Sequence, residues 1–249
     1  MTECAHRMTI IWGVRIMSTP HHVCTREEVE AALRVLPSYC DRWTAEHYAA
    51  ALAQMPHNPY LLCRAAQSYY FAGALQKSVE LSLQLLPMVP HCSSARHQIG
   101  MAYYRQGKLP EAKKSFEEVI RIDPNFAIAY HWLGLTCYHM GHREEALEAY
   151  RLCLVKSPET LIVLYDMAVI YSAMGEYQKA VEVLERLTQA FPEDAAAYYH
   201  LGMAHSHLDH DREALACFKR ALALDPQDRR ARHMVEVLSE IAAQSQRLV

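Results

Sequence analysis

Apolar residues in the central half of the chain come in short bursts at helical spacing. Tyr130, Leu133 and Cys137 share one side of a predicted helix, and Ala146, Leu147, Tyr150, Cys153 and Leu154 share one side of the next. A recurrence every three to four residues is the mark of an amphipathic helix, and no strand-like alternation competes with it. Gly141 separates the two bursts and Pro158 follows the second, so the pattern predicts a helix, a tight turn, an antiparallel helix and a stop.

The same pattern returns at a fixed interval. Pro56, Pro90, Pro124, Pro158, Pro192 and Pro226 stand 34 residues apart. A period of that length predicts a stacked helical repeat. Blocks beginning at Thr25, Pro59, Ser93, Ala127, Leu161 and Ala195 bring equivalent positions into line. The eighth place reads Ala32, Ala66, Gly100, Gly134, Ala168, Gly202, where only a small side chain lets two helices approach. The fifteenth reads Tyr39, Gly73, Gly107, Gly141, Gly175, Asp209, a turn place that wants positive φ. The twentieth is small again (Thr44, Ser78, Ala112, Ala146, Ala180, Ala214), and the twenty-fourth is mostly a large knob: Tyr48, Ser82, Phe116, Tyr150, Leu184, Phe218. Seven of the eight glycines fall at the two glycine places, so their use is architectural and not phosphate-cradling.

These residues resemble the tetratricopeptide repeat family. Tyr130-x-x-Leu133-Gly134-x-x-Cys137 with Gly141, Ala146, Tyr150 and Pro158 follows its motif, as does Leu201-Gly202 with Ala214, Phe218, Ala221 and Pro226. The resemblance covers about residues 25–228 and is most specific over 93–226. It implies an all-α, right-handed superhelical solenoid of helix–turn–helix units. The expected organisation is an N-terminal extension, poorly ordered, at 1–24; six repeats at 25–58, 59–92, 93–126, 127–160, 161–194 and 195–228; and a capping helix and tail at 229–249. The first repeat is degenerate, since it lacks the aromatic, Leu and Gly of the opening helix and carries Pro37 near its turn. Met234, Val235, Leu238 and Ile241 give the last segment the apolar stripe of a cap, which solenoid ends require.

Composition narrows the function. The chain has 249 residues, 51 % of them hydrophobic, and a formal net charge of −3, so it lacks the basic field that nucleic acid demands. Arg229, Arg230 and Arg232 read as a solvated face of the last helix. The eight cysteines form no Cys-x-x-Cys pair, and Cys137 and Cys153 occupy apolar places; this points to a reducing, cytoplasmic setting and folding without disulfides. No apolar run is long enough to span a bilayer, and Thr9–Val14 is too short, and cut by Arg15, to be a secretory signal. Fifteen histidines raise the question of metal. His205, His207 and His210 cluster with Asp209 and Asp211, and His139 lies near His142, but no cysteine companion accompanies them, so no metal or other cofactor is expected.

The resemblance also implies where a partner would sit. The first helix of each unit lines the inner face of such arrays, and the second, fifth, ninth and twelfth places share that face. The candidate groove is Tyr60, Cys63, Gln67 and Tyr70; His97, Met101 and Tyr104; His131, Leu135 and Tyr138; Tyr165 and Val169; Tyr199 and Met203. Aromatic, Met and His side chains at these places suit a partner segment with apolar anchors. The lysines, arginine and asparagines with which family members grip the acidic C-termini of heat-shock chaperones have no counterpart at the matching places. The expectation is a non-catalytic scaffold or adaptor that holds a peptide or helix of a partner protein. The alternatives are a chaperone for an exported or membrane-associated client, self-association, or a groove filled by the chain's own N-terminal segment. His97 and His131 are further expected to weaken binding near pH 6 by becoming charged in a partly apolar groove.

Overall fold

Each helix ends where its sequence withdraws helical backbone. The computed structural model describes residues 44–247, with side chains to residue 244. The expected extension at 1–24 and the opening helix of the first block, with Pro37, lie outside the described residues. Twelve helices and no strand make up the described part, and the fold is all-α. The described residues fall into two compact units, divided after Pro90.

In the first unit α1 (Ala45–Gln54) packs on α2 (Pro59–Phe71), and α2 on α3 (Leu75–Leu85). Asn58 caps α2, accepting from the Tyr60 and Leu61 amides at 3.1 Å, with Pro59 at the first helical position, where its missing N–H costs nothing.

The second unit runs α4 (Ser93–Arg105), α5 (Leu109–Ile122), α6 (Ala127–His139), α7 (Arg143–Lys156), α8 (Ile162–Ala173), α9 (Tyr177–Ala190), α10 (Ala195–Ser206), α11 (Asp211–Leu224) and α12 (Arg229–Arg247). Helices adjacent in sequence pack on each other, within blocks and between them, and smaller contacts join the alternate helices α4, α6 and α8. One turn is used over and over. At the end of α6 the His142 amide reaches back to the Cys137 carbonyl and the Gly141 amide to Tyr138, both at 2.9 Å, and Gly141 has φ +84°. This pair of hydrogen bonds closes the helix with a left-handed residue. The ends of α4 and α8 repeat it through Gly107 and Gly175, and Asp209 fills the same role after α10 at φ +58°.

The core between the paired helices follows a size rule across two places. A Cβ on Gly134 would stand 2.5 Å from the Tyr150 ring; on Gly100, 2.7 Å from Phe116; on Gly202, 2.8 Å from Phe218. All three rings are fully buried. Where the eighth place is Ala168, the twenty-fourth is the smaller Leu184, also buried. Glycine is thus present because a ring occupies the space its side chain would take. The last helix closes the array: Leu238, with Met234 and Val235, packs on Phe218 and Ala214. Among the described residues no helix is long and apolar enough to cross a membrane.

Candidate interaction face

The first helices of successive blocks, α4, α6, α8 and α10, carry the fifth, ninth and twelfth places of the second unit. In α4 two of the expected groove residues are interior. His97 is 6 % exposed and Met101 4 %. Over His97 the cover is Trp132, which follows the fifth place in the next block. It stacks on Phe116 at 6.1 Å and, with Phe126, closes over the His97 imidazole, whose ring lies 5.3 Å from Phe126 and 6.4 Å from Trp132. Burial, and secondly the neighbouring His131, hold the His97 pKa down at about 4. His97 is therefore neutral at pH 6, and the expected loss of binding through its protonation does not apply to it. Tyr104 stays partly exposed, edge-on to Trp132 at 5.4 Å and to His139 at 5.7 Å.

From α6 onward the face is open. His131, Leu135, Tyr138, Tyr165, Val169, Tyr199 and Met203 are all partly exposed. In the first unit Tyr60 is exposed, Cys63 and Gln67 are partly so, and Tyr70 is buried in the core of α2.

Along this face each fifth place reaches the sixth place of the following block. His97 meets Trp132; His131 Nε2 lies 3.1 Å from Asp166 Oδ2; the Tyr165 hydroxyl and His200 Nε2 lie 2.8 Å apart. This ladder ties neighbouring blocks through one ring contact and two polar bonds at the edge of an apolar surface. Beside its last rung is a pocket of about 180 Å³, lined by Tyr165, Ala168, Val169, Ser172, Leu184 and His200. It opens in the block of the second unit whose knob is Leu184 instead of an aromatic ring, so the space follows from the smaller side chain.

The sequence reading missed one element of this face. Arg230, from the capping helix, lays its guanidinium over the Tyr199 ring at 4.6 Å and pairs with Asp228 at 3.1 Å. It also reaches Tyr165 and His200 electrostatically, and burial and then Arg230 lower the His200 pKa. The signal was its register: Arg230 is the second residue after the sixth block and so falls at a groove place.

The histidines around the turns have other employment. His207 stacks flat on Tyr177 at 4.2 Å, the His205 and His210 rings lie 5.8 Å apart, and His142 Nδ1 lies 3.3 Å from Glu145 Oε1. Among the described residues no three His, Cys, Asp or Glu side chains converge as a metal site. Cys137 and Cys153 are buried free thiols whose pKa values burial pushes up to about 11, which makes them poor nucleophiles at neutral pH.

Comparison with known proteins agrees with this architecture. Family profiles described as tetratricopeptide repeat match residues 167–239 and 127–160, and one described as TPR repeat matches 100–141. Among solved structures, the chain resembles MamA (TM-score 0.63, 21 % identity, covering 68 % of this chain and 92 % of that one). It also resembles YrrB, described as a TPR protein with an unusual peptide-binding site (TM-score 0.64, 17 % identity, covering 76 % and 98 %). A MamA fragment from Desulfovibrio magneticus RS-1 superposes with a TM-score of 0.54 at 21 % identity, covering 63 % of this chain and 94 % of that one. No curated protein matches the chain in sequence. With its helix pairs, glycine turns, ring-for-glycine packing and matching profiles, the chain belongs to the tetratricopeptide repeat family.

Proposed function

We propose that the protein is a non-catalytic interaction scaffold that holds an extended or helical segment of a partner protein on the first-helix face of its second unit. The observation that carries this reading is the open row of Leu135, Tyr138, Tyr165, Val169, Tyr199 and Met203, with a side-chain-sized pocket between Tyr165 and Val169. Tyrosine offers large area at low conformational cost, and Met and Val adapt around it. A peptide lying there would set one apolar side chain into the pocket and others along the row. The groove begins at α6, because the buried His97 and Met101 offer a ligand nothing. The binding of a peptide by YrrB, a protein of similar fold, supports the reading by analogy.

Selection from a random displayed peptide library tests it. Sequences enriched on the parent protein should share an apolar residue at a fixed position. Their affinity should fall roughly tenfold or more in Tyr138→Ala, as truncation of a central aromatic anchor does. The pocket-filling Val169→Trp should also lose them. Enriched peptides that bind both folded variants as tightly as the parent would remove the groove from the account.

A further inference from the structure

The chain contains a built example of a ligand on its own groove. At the end of the second unit Tyr199 stands at the fifth place of its block, Asp228 at the last place of the same block, and Arg230 two residues further on. The Arg230 guanidinium covers the Tyr199 ring at 4.6 Å, and its Nε and Nη2 donate to the Asp228 carboxylate at 3.3 and 3.1 Å. Asp228 is fixed in turn because its Oδ1 accepts the Arg230 and Ala231 amides at 2.8 and 3.3 Å. A tyrosine face and a helix-capping carboxylate thus make a seat for a guanidinium.

One repeat earlier the same seat lacks a cation. Tyr165 stands at the fifth place, Asp194 at the last place, and the position of Arg230 is taken by Ala196, exposed and too short to reach. Asp194 is held in the same way, its Oδ1 accepting the Ala197 amide at 3.0 Å, and the Tyr165 hydroxyl is fixed by His200 at 2.8 Å. One block earlier still the pattern is gone, with His131, Thr160 and Ile162 at the three places. We infer that Tyr165 and Asp194 receive an arginine side chain of the partner segment, with a neighbouring apolar residue of that segment in the adjoining pocket.

Charge favours this occupant. The charged groups that act on Tyr165 are Asp194, Arg230 and Asp166; Arg230 already has Asp228 and Asp166 has His131, which leaves the Asp194 carboxylate to face the seat. Burial and Arg230 lower the His200 pKa, so His200 is neutral at pH 7 and adds no repulsion. An acidic segment would meet the Asp194 carboxylate instead. The geometry differs from the basic clamp of chaperone-binding relatives, since here the protein supplies the acid and the partner the base.

The inference rests on the groove reading, and its test separates the two. The full chain, labelled at tyrosine rings and methyl groups, is titrated by NMR with acetyl-leucyl-arginine amide, and with the same probe carrying the uncharged isostere citrulline or carrying glutamate. The arginine probe should shift Tyr165 and Val169 saturably, with affinity about five- to tenfold above the citrulline probe. Asp194→Asn, which keeps the cap and removes the charge, should erase that advantage. Ala196→Arg should fill the seat from within and abolish it. Tyr199, already covered by Arg230, should respond little. Citrulline binding as well as arginine on the Val169 methyls would overturn the seat and leave the groove standing. A tighter glutamate probe, unchanged binding in Ala196→Arg, or no shift with any probe would also overturn the seat.

Discussion

At the scale of single residues the strongest constraint is the pairing of Gly134 with Tyr150. An added Cβ would lie 2.5 Å from a fully buried ring, and the ring has nowhere to go. Gly134→Leu should cost about 2–4 kcal/mol, read as a lower urea midpoint with an unchanged slope; a parent-like midpoint would show that the two helices can separate freely. His97 makes a second prediction. Its pKa falls from the ordinary 6.5 to about 4, so the unfolded chain takes up the proton first. The stability due to its neutral form is fully present above pH 6.5 and is lost as the pH drops toward 4, on the order of 3 kcal/mol over that window. The stability of His97→Leu should therefore fall less steeply than the parent's between pH 6.5 and 4.5, and parallel curves would contradict its burial. The glycine–ring pairing was legible in the sequence, since both partners sit at fixed places of one block. The burial of His97 was not: it depends on Trp132, which reaches it from the next block, and on Phe126 at the far end of its own block.

At the scale of elements the turns and caps are what the 34-residue register conveys. Glycine, Pro and small-residue places locate the helix ends, because each withdraws or permits a specific backbone conformation. Asp209 is the exception that the structure explains. It adopts φ +58° with the same closing bonds as its glycine counterparts, from Asp209 to Ser206 and from His210 to His205. Asp209→Gly should relieve that conformation and raise stability by about 0.5–1 kcal/mol, measured by thermal melting. A loss of stability would mean that the Asp side chain contributes more than its backbone costs. The role of α12 was only half legible. Its apolar stripe announced a cap, and Met234, Val235 and Leu238 do pack on α11. That the same helix brings a cation onto the groove depends on continuing the register beyond the last full repeat, where the stripe alone gives no reason to look.

At the scale of the molecule, the repeat converts one helix-pair motif into a long face, and function lies in where that face departs from its own pattern. Leu184 in place of a ring opens a pocket, Trp132 closes the start of the row, and Ala196 leaves a seat that Arg230 fills one repeat later. Such departures can be found in sequence only after the repeat is aligned, and whether each opens or closes space is decided by packing. The central claim is that a partner segment lies on the first-helix face of the second unit. The direct measurement is photo-cross-linking of a library-selected peptide to chains carrying benzoylphenylalanine at position 138, 169 or 155, with cross-linked residues identified by mass spectrometry. Position 155, 73 % exposed at Val155 on the second helix of its block, serves as the outer control. The account predicts cross-links from positions 138 and 169 and none from 155. Cross-links from 155 with none from 138 and 169 would place the partner on the opposite face and contradict it.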